Sequence, residues 1–232
     1  MVRIHLNQHL LGNNMALALF DLDNTLLNGD SDYSWGQFLV SKNAVDADVY
    51  EAENLRFYEE YQAGTMDIYE YQAFSLSPLT KYSWSQLMAW RDEFLTSIIT
   101  PMLLKKAVKL IEKHQQQQDT LMIITATNSF ITRPIADIYH IPHLLATEPE
   151  IVNQTFTGKL NGEPCYHQNK VIKIQQWLAD NQQTLEGSYF YSDSRNDIPL
   201  LAEVSFPCAV DPDDYLRQHA VELGWDIISL RE

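Results

Sequence analysis

Asp21 and Asp23 stand one residue apart at the end of the apolar run Leu17-Ala18-Leu19-Phe20. Side chains two apart on a strand point to one side, so both carboxylates address one small volume. Like charges that close repel unless a cation or a shared proton intervenes. An Asp-rich turn, capped by Asp23 or Asn24, accounts for the pair taken alone. Three later segments argue for more. The apolar run Leu121 to Ile124 closes in Thr125-Ala126-Thr127-Asn128, and Tyr189-Phe190-Tyr191 runs into Ser192-Asp193-Ser194-Arg195-Asn196-Asp197. Lys170 lies near the start of the helical stretch between them. If these strands are neighbours, Asp21, Asp23, Thr125, Lys170 and Asp193 converge on one crevice at the carboxyl end of a sheet, where ligands of open α/β folds sit.

Such a cluster suits phosphoryl chemistry. An aspartate, here Asp21, attacks phosphorus to form an aspartyl-phosphate and splits one hard step into two easier ones. An anion attacking an anionic ester needs compensating positive charge. Mg²⁺ fits that need, because it takes one or two carboxylates together with phosphate and water oxygens. Asp21 and Asp193 are its natural side-chain ligands, and Lys170 adds a second positive charge. The Thr125 hydroxyl and the Ala126 amide can donate to phosphoryl oxygens. Asp23 is placed to protonate the leaving alkoxide and to deprotonate the later water, help worth about 10²–10⁴-fold. Asn196 borders the substrate, and with Asp197 it orients Lys170 and the waters of the metal.

The elements that must position these groups follow from periodicity. Strands alternate with helices, which implies an α/β architecture: a parallel sheet with helices on both faces. Residues 15–30 and 100–232 form this core, and residues 1–14 are a loose extension; Met15 is a possible native start. Residues 31–99 are an inserted helical unit rich in aromatics (Tyr33, Trp35, Phe57, Tyr61, Tyr71 and Phe94 among them), which pack the helices together. In the core, a helix capped by Thr100 runs from Pro101 to about Gln117, with Val108 and Ile111 on one face. A hairpin spans 148–160 and is signalled by Asn161-Gly162. Helices are expected at 130–139 and 167–180, with final strands at 206–210 and 226–230.

Composition bounds the partners. The net charge of −15 over 232 residues argues against nucleic acid, which needs Lys and Arg clusters, and against anionic membranes. It suits a substrate with a cationic end, though an acidic surface also aids solubility. No apolar run reaches the roughly 18 residues of a membrane span, and the start lacks the pattern of a signal peptide, so a cytoplasmic protein is expected. Two cysteines are too few for a disulfide framework. Cys165 and His167 lack the second pair that a zinc site needs, and they are expected to flank the hairpin near the site entrance. Arg133 reads as a helix-surface charge in preference to a residue that helps hold the phosphate. Asp32 caps a helix as readily as it faces a substrate, and the direction of Arg195 is open. The expected ligand is a small phosphorylated metabolite; nothing in the sequence bears on oligomeric state.

Asp21-Leu22-Asp23-Asn24-Thr25, Thr125 closing an apolar strand, Lys170, and Ser192-Asp193-Ser194-Arg195-Asn196-Asp197 together resemble the four motifs of the haloacid dehalogenase-like hydrolases, in that family's order. The insert at 31–99 is similar to the C1 cap of subfamily IB, the phosphoserine-phosphatase-like members. The resemblance implies a Rossmann-like core, a mobile helical cap and Mg²⁺. It makes Asp21 the nucleophile with its side chain on the metal, and Asp23 the acid/base with its backbone carbonyl on the metal. The chain departs from the pattern at Ser192 and Ser194, where glycines are usual, which alters the loop. Phosphoserine phosphatases have an acidic residue at the position of Asp30 that can hold a substrate ammonium, and a cap arginine for the substrate carboxylate. Here the arginine position falls near Ser75, and no arginine lies between Arg56 and Arg91. The resemblance therefore favours an amine-bearing substrate without a carboxylate, such as histidinol phosphate. Phosphoserine hydrolysis, phosphotransfer and a non-catalytic phosphoryl-sensing domain are the alternatives. A degenerate, non-catalytic member should have lost Asp21, Asp23 or Lys170, and all three are present.

Overall fold

The computed structural model describes residues 16–231, so the extension expected at 1–14, and Met15, lie outside the described residues. In chain order the elements are β1 (Leu17–Phe20), then α1 (Ser31–Ser41), α2 (Ala47–Ala63), α3 (Ile68–Leu76) and α4 (Trp84–Phe94). The single turn α5 (Thr100–Met102) and α6 (Lys105–Gln116) lead into β2 (Thr120–Asn128), α7 (Ser129–Ile138) and β3 (His143–Thr147). A hairpin of β4 (Pro149–Val152) and β5 (Thr155–Leu160) precedes α8 (Gln168–Asn181) and β6 (Tyr189–Ser192). The chain closes with α9 (Ile198–Leu201), β7 (Phe206–Val210), α10 (Asp214–Leu223) and β8 (Asp226–Ile228).

Six strands form one parallel sheet in the order β3-β2-β1-β6-β7-β8. Its core strands are apolar at nearly every position because both faces are covered. Alternate residues divide between two cores: Ala18, Phe20, Leu121, Ile123 and Tyr191 face one, while Leu17, Leu19, Met122, Ile124 and Phe190 face the other. The strand order reverses between β1 and β6, which makes their carboxyl ends a topological switch point. Phe20 is in register with Ile123 on one side and Tyr191 on the other. The three polar strand ends singled out in the sequence are therefore adjacent.

Residues 31–99, which follow β1, hold the four helices α1 to α4 and no strand of either sheet. Each begins at its own side-chain cap: Asp30, Asp46, Asp67 and Ser83 accept from backbone N–H groups of the first turns. Such caps satisfy donors that the helix leaves free. Gly64 ends α2 at φ 71°, a left-handed backbone that favours glycine.

Three details differ from expectation. The helix expected from Pro101 to Gln117 breaks at Leu103, which bridges Leu27, while the Asn28 N–H donates to the Met102 carbonyl. Thr100 is not its cap; its hydroxyl donates to the Leu95 carbonyl. In α6, Val108 is exposed, and Ala107, Ile111 and His114 form the buried face. The hairpin turns at Asn153-Gln154, both at positive φ, the geometry of a two-residue primed turn; Asn161-Gly162 follows the second strand instead. Cys165 is fully buried, with its N–H donating to Thr147 Oγ1, so it does not flank an entrance, whereas His167 is exposed.

Candidate active site

Asp21 is the first residue beyond β1, and its N–H continues the ladder by donating to the Tyr191 carbonyl (2.9 Å). The turn that follows carries its side chain to the carboxyl edge of the sheet, where it is almost completely buried. Lys170, in the first turn of α8, reaches it across the sheet edge. Lys170 Nζ donates to Asp21 Oδ1 (2.9 Å) and to Asp197 Oδ2 (2.8 Å). Ser192 Oγ donates to the same Asp197 oxygen (2.7 Å) and accepts from the Ser194 N–H; Ser194 Oγ accepts from the Asn196 N–H. The two serines thus knit the loop after β6 through side-chain bonds. Thr25 orients Asp193: its hydroxyl accepts from the Asp193 N–H (3.0 Å) and donates to Asp193 Oδ1 (3.1 Å).

Asp23 is held from two sides. Its Oδ1 accepts from the Ser31 N–H (2.6 Å) and its Oδ2 from the Thr127 hydroxyl (2.8 Å). Thr125, Ala126 and Thr127 line the same pocket as Asp21 and Asp23. Its remaining wall comes from α1, α2 and α3. Asp30 and Asp32 both border it, but with different tasks. Asp30 Oδ1 caps α1, accepting from the Asp32 and Tyr33 N–H groups (2.9 and 2.8 Å). Asp32 is buried and hydrogen-bonded by Tyr71 and Ser75. No lysine, arginine or histidine is among the described residues lining this pocket.

Two residues of the last motif turn elsewhere. Asn196, expected at the substrate, does not line the pocket: its Nδ2 donates to the Tyr61 carbonyl (3.0 Å) and its Oδ1 accepts from the Tyr166 hydroxyl (3.1 Å). It ties the core loop to α2. The Arg195 guanidinium stacks on Tyr215 at 4.0 Å and abuts Gly64, where a Cβ would come within 3.1 Å of its Nε. Arg133 lies on the surface and bonds Asp137 and the Ile141 and Pro142 carbonyls.

Burial dominates the electrostatics. It pushes Asp23 up to about 7, with help from the Asp30 charge and against bonds from Ser31 and Thr127. Burial also raises Asp32 to about 7 and Asp30 to about 6. It raises Asp193 well above the usual carboxylate range, and the Asp21 and Asp197 charges add to the effect. Burial opposes the charge on Lys170, but Asp197 and Asp21 more than offset it and keep the ammonium protonated. The Lys170 ammonium thus serves two carboxylates, Asp21 and Asp197, while Asp23 and Asp193 have other partners. Among the described residues no three acidic, His or Cys side chains form a ready-made metal cage. Mg²⁺ does not require one, since two carboxylates with phosphate and water oxygens complete its shell. Asp21, buried, and Asp193, half-buried, fit that donor set.

Sequence reasoning missed Thr127, Thr25 and the Tyr71–Ser75 pair. Thr127 was within reach, being two residues past Thr125 on the same strand side. Thr25 sits in the first motif but in a turn, where side-chain direction has no period. Tyr71 and Ser75 are one helical turn apart on α3, far in sequence from any motif.

This arrangement of an acidic pair after β1, a threonine near the end of β2, a lysine on α8 and an acidic loop after β6 belongs to one family. The chain is a haloacid dehalogenase-like hydrolase: that family's sequence profile matches residues 18–202. Among its relatives, a histidinol-phosphatase of Neisseria meningitidis is 40% identical over 93% of this chain and 99% of the relative. A phosphoserine phosphatase of Mycobacterium tuberculosis is 28% identical over 93% of this chain and 71% of its own length. Among solved structures, a Bordetella pertussis protein of unknown function superposes with a TM-score of 0.87 at 40% identity, covering 94% of this chain and 99% of its own. A substrate-bound phosphoserine phosphatase shares the fold at a TM-score of 0.70 and 16% identity, with 93% of both chains covered.

Proposed function

We propose that this phosphatase hydrolyses a small amine-bearing phosphomonoester, histidinol phosphate in the first instance, through a phosphoryl group carried on Asp21 and with Mg²⁺ as cofactor. One observation carries the catalytic part: the buried Lys170 ammonium bonds Asp21 on one oxygen and leaves the other free. A carboxylate held that way is oriented for attack and does not rotate.

Asp21 Oδ2 attacks phosphorus, the ester P–O bond breaks, and its electron pair goes to the alkoxide of the leaving group. Asp23 supplies the proton, and a carboxyl raised to about 7 is well matched to giving and taking a proton near neutral pH. In the second half, water loses a proton to Asp23 and attacks phosphorus. The Asp21–phosphorus bond breaks, and phosphate leaves. The Thr125 hydroxyl and the Ala126 amide donate to phosphoryl oxygens, and Lys170 offsets charge beside the nucleophile. Asp21, Asp193 and the Asp23 carbonyl would hold Mg²⁺, which would supply positive charge against the phosphoryl oxygens that repel an attacking carboxylate. The helical unit at 31–99 acts as the cap: it supplies the pocket wall and excludes water.

Three observations support the substrate. The wall has two carboxylates and several aromatic rings, no cationic side chain for a substrate carboxylate is among its described residues, and a 40% identical relative is named a histidinol-phosphatase. The test is phosphate release from histidinol phosphate, phosphoserine and p-nitrophenyl phosphate, with and without Mg²⁺. The expected result is Mg²⁺-dependent release, fastest per unit concentration with histidinol phosphate. A clear preference for phosphoserine refutes the substrate, and full activity in chelator refutes the cofactor.

A further inference from the structure

The cap wall holds one acidic side chain that the phosphoryl chemistry leaves without a task. Asp32 is 8% exposed and borders the same pocket as Asp21. Tyr71 and Ser75 hydrogen-bond its carboxylate, yet its Oδ1 is buried with no partner. A buried carboxylate oxygen left unpaired carries a desolvation cost that ordinary packing does not tolerate. Neighbouring Asp30 is different, because its Oδ1 already accepts two N–H groups of α1. Around Asp32 the wall is ring-rich, with Phe57, Tyr58, Tyr61 and Tyr71. Such faces take a flat or cationic nitrogen group. An anionic oxygen among aromatic faces accepts an N–H well and rejects a second carboxylate.

We infer that Asp32 determines specificity by accepting, at its free Oδ1, an N–H from the nitrogen-bearing end of the substrate. This rests on the reading that the phosphoryl group sits at Asp21. Tyr71 and Ser75 are positioning residues that hold the carboxylate while its Oδ1 stays unpaired. Asp30, as the cap of α1, sets the backbone from which Asp32 projects.

The test uses the full chain with Mg²⁺ and compares kcat/KM for histidinol phosphate, phosphoserine and p-nitrophenyl phosphate in wild type, Asp32→Asn and Tyr71→Phe. Losing a charge-assisted bond lowers the selectivity for histidinol phosphate over p-nitrophenyl phosphate by roughly 10- to 100-fold in Asp32→Asn, mainly through KM. Discrimination against phosphoserine narrows. Tyr71→Phe, which keeps the ring and removes the hydroxyl, moves the ratio the same way by a smaller factor. A wild-type preference that survives intact in both variants overturns the role of Asp32 and leaves the catalytic reading standing, as does an equal fall on all three substrates. A wild-type enzyme active on p-nitrophenyl phosphate without preference for histidinol phosphate overturns the substrate assignment and this inference together. Should Asp32→Asn fail to fold, the Tyr71→Phe ratio alone decides, because its half-buried ring is retained.

Discussion

Replacing Lys170 with methionine removes the ammonium that pairs the buried carboxylates of Asp21 and Asp197, while nearly keeping side-chain length. Lys170 is 1% exposed and lies 2.9 Å from Asp21 and 2.7 Å from Asp197. Removing one partner of a buried ion pair costs about 3–5 kcal/mol, because the other charge is left uncompensated. Two charge-assisted bonds at about 1.5–3 kcal/mol each give a similar sum. For a chain of this size such a loss lowers Tm by roughly 10 °C. The deficit also depends on pH. Burial already pushes the Asp21 carboxyl up, against the pull of Lys170; without that pull it rises further. A carboxyl raised above its unfolded value contributes stability that is present at low pH and lost as pH climbs through the folded value. The gap between Lys170→Met and wild type therefore widens from pH 5 to pH 8, and Mg²⁺ narrows it by supplying charge at the same carboxylates. Urea unfolding at several pH values, with and without Mg²⁺, measures this directly. A variant as stable as wild type at pH 8, or a deficit independent of pH, refutes the electrostatic account of the site.

Three further outcomes follow from the same geometry. Thr127→Val removes a bond that pulls Asp23 down, so the alkaline limb of the kcat/KM profile moves to higher pH and kcat falls about tenfold, within the worth of one bond to a charged group; an unmoved limb contradicts it. Because burial holds Asp32 near 7, kcat/KM for histidinol phosphate falls below about pH 7 faster than that for p-nitrophenyl phosphate; parallel profiles contradict it. Gly64→Ala places a Cβ 3.1 Å from Arg195 Nε at φ +71° and costs about 1 kcal/mol or more of stability, which thermal melting reads; an unchanged Tm contradicts it.

Much of the architecture was legible because strand ends announce themselves. Apolar runs that stop at Asp21, Thr125 and Asp193 fix three carboxyl edges, and strand order then makes them neighbours. Side-chain direction in helices and turns was less legible. Asp30 and Asp32 both border the pocket, and only the backbone path shows that Asp30 is the one that caps α1. Asn196 lies in the most acidic motif, yet it bonds Tyr61 and Tyr166 because α2 folds over that loop. The hairpin was misplaced because Asn161-Gly162 is the stronger local turn signal, whereas Asn153-Gln154 turns without glycine. The break at Leu103 is tertiary in origin, set by the bridge to Leu27.

The serines of the last motif loop illustrate how an unusual residue is accommodated. Ser192 and Ser194 use their hydroxyls to bond Asp197 and the loop amides, so Asp197 stays against Lys170 and the loop keeps Asp193 beside Thr25. No helix of the described residues is long and apolar enough to cross a membrane.

The account depends above all on a phosphoryl group being carried on Asp21. Acid quenching of wild-type enzyme during turnover of histidinol phosphate, followed by peptide mass spectrometry, tests this most directly. The prediction is a hydroxylamine-sensitive phosphoryl adduct on the peptide that contains Asp21, absent in Asp21→Asn, which also releases no phosphate. An adduct on another residue, or undiminished turnover by Asp21→Asn, would contradict it.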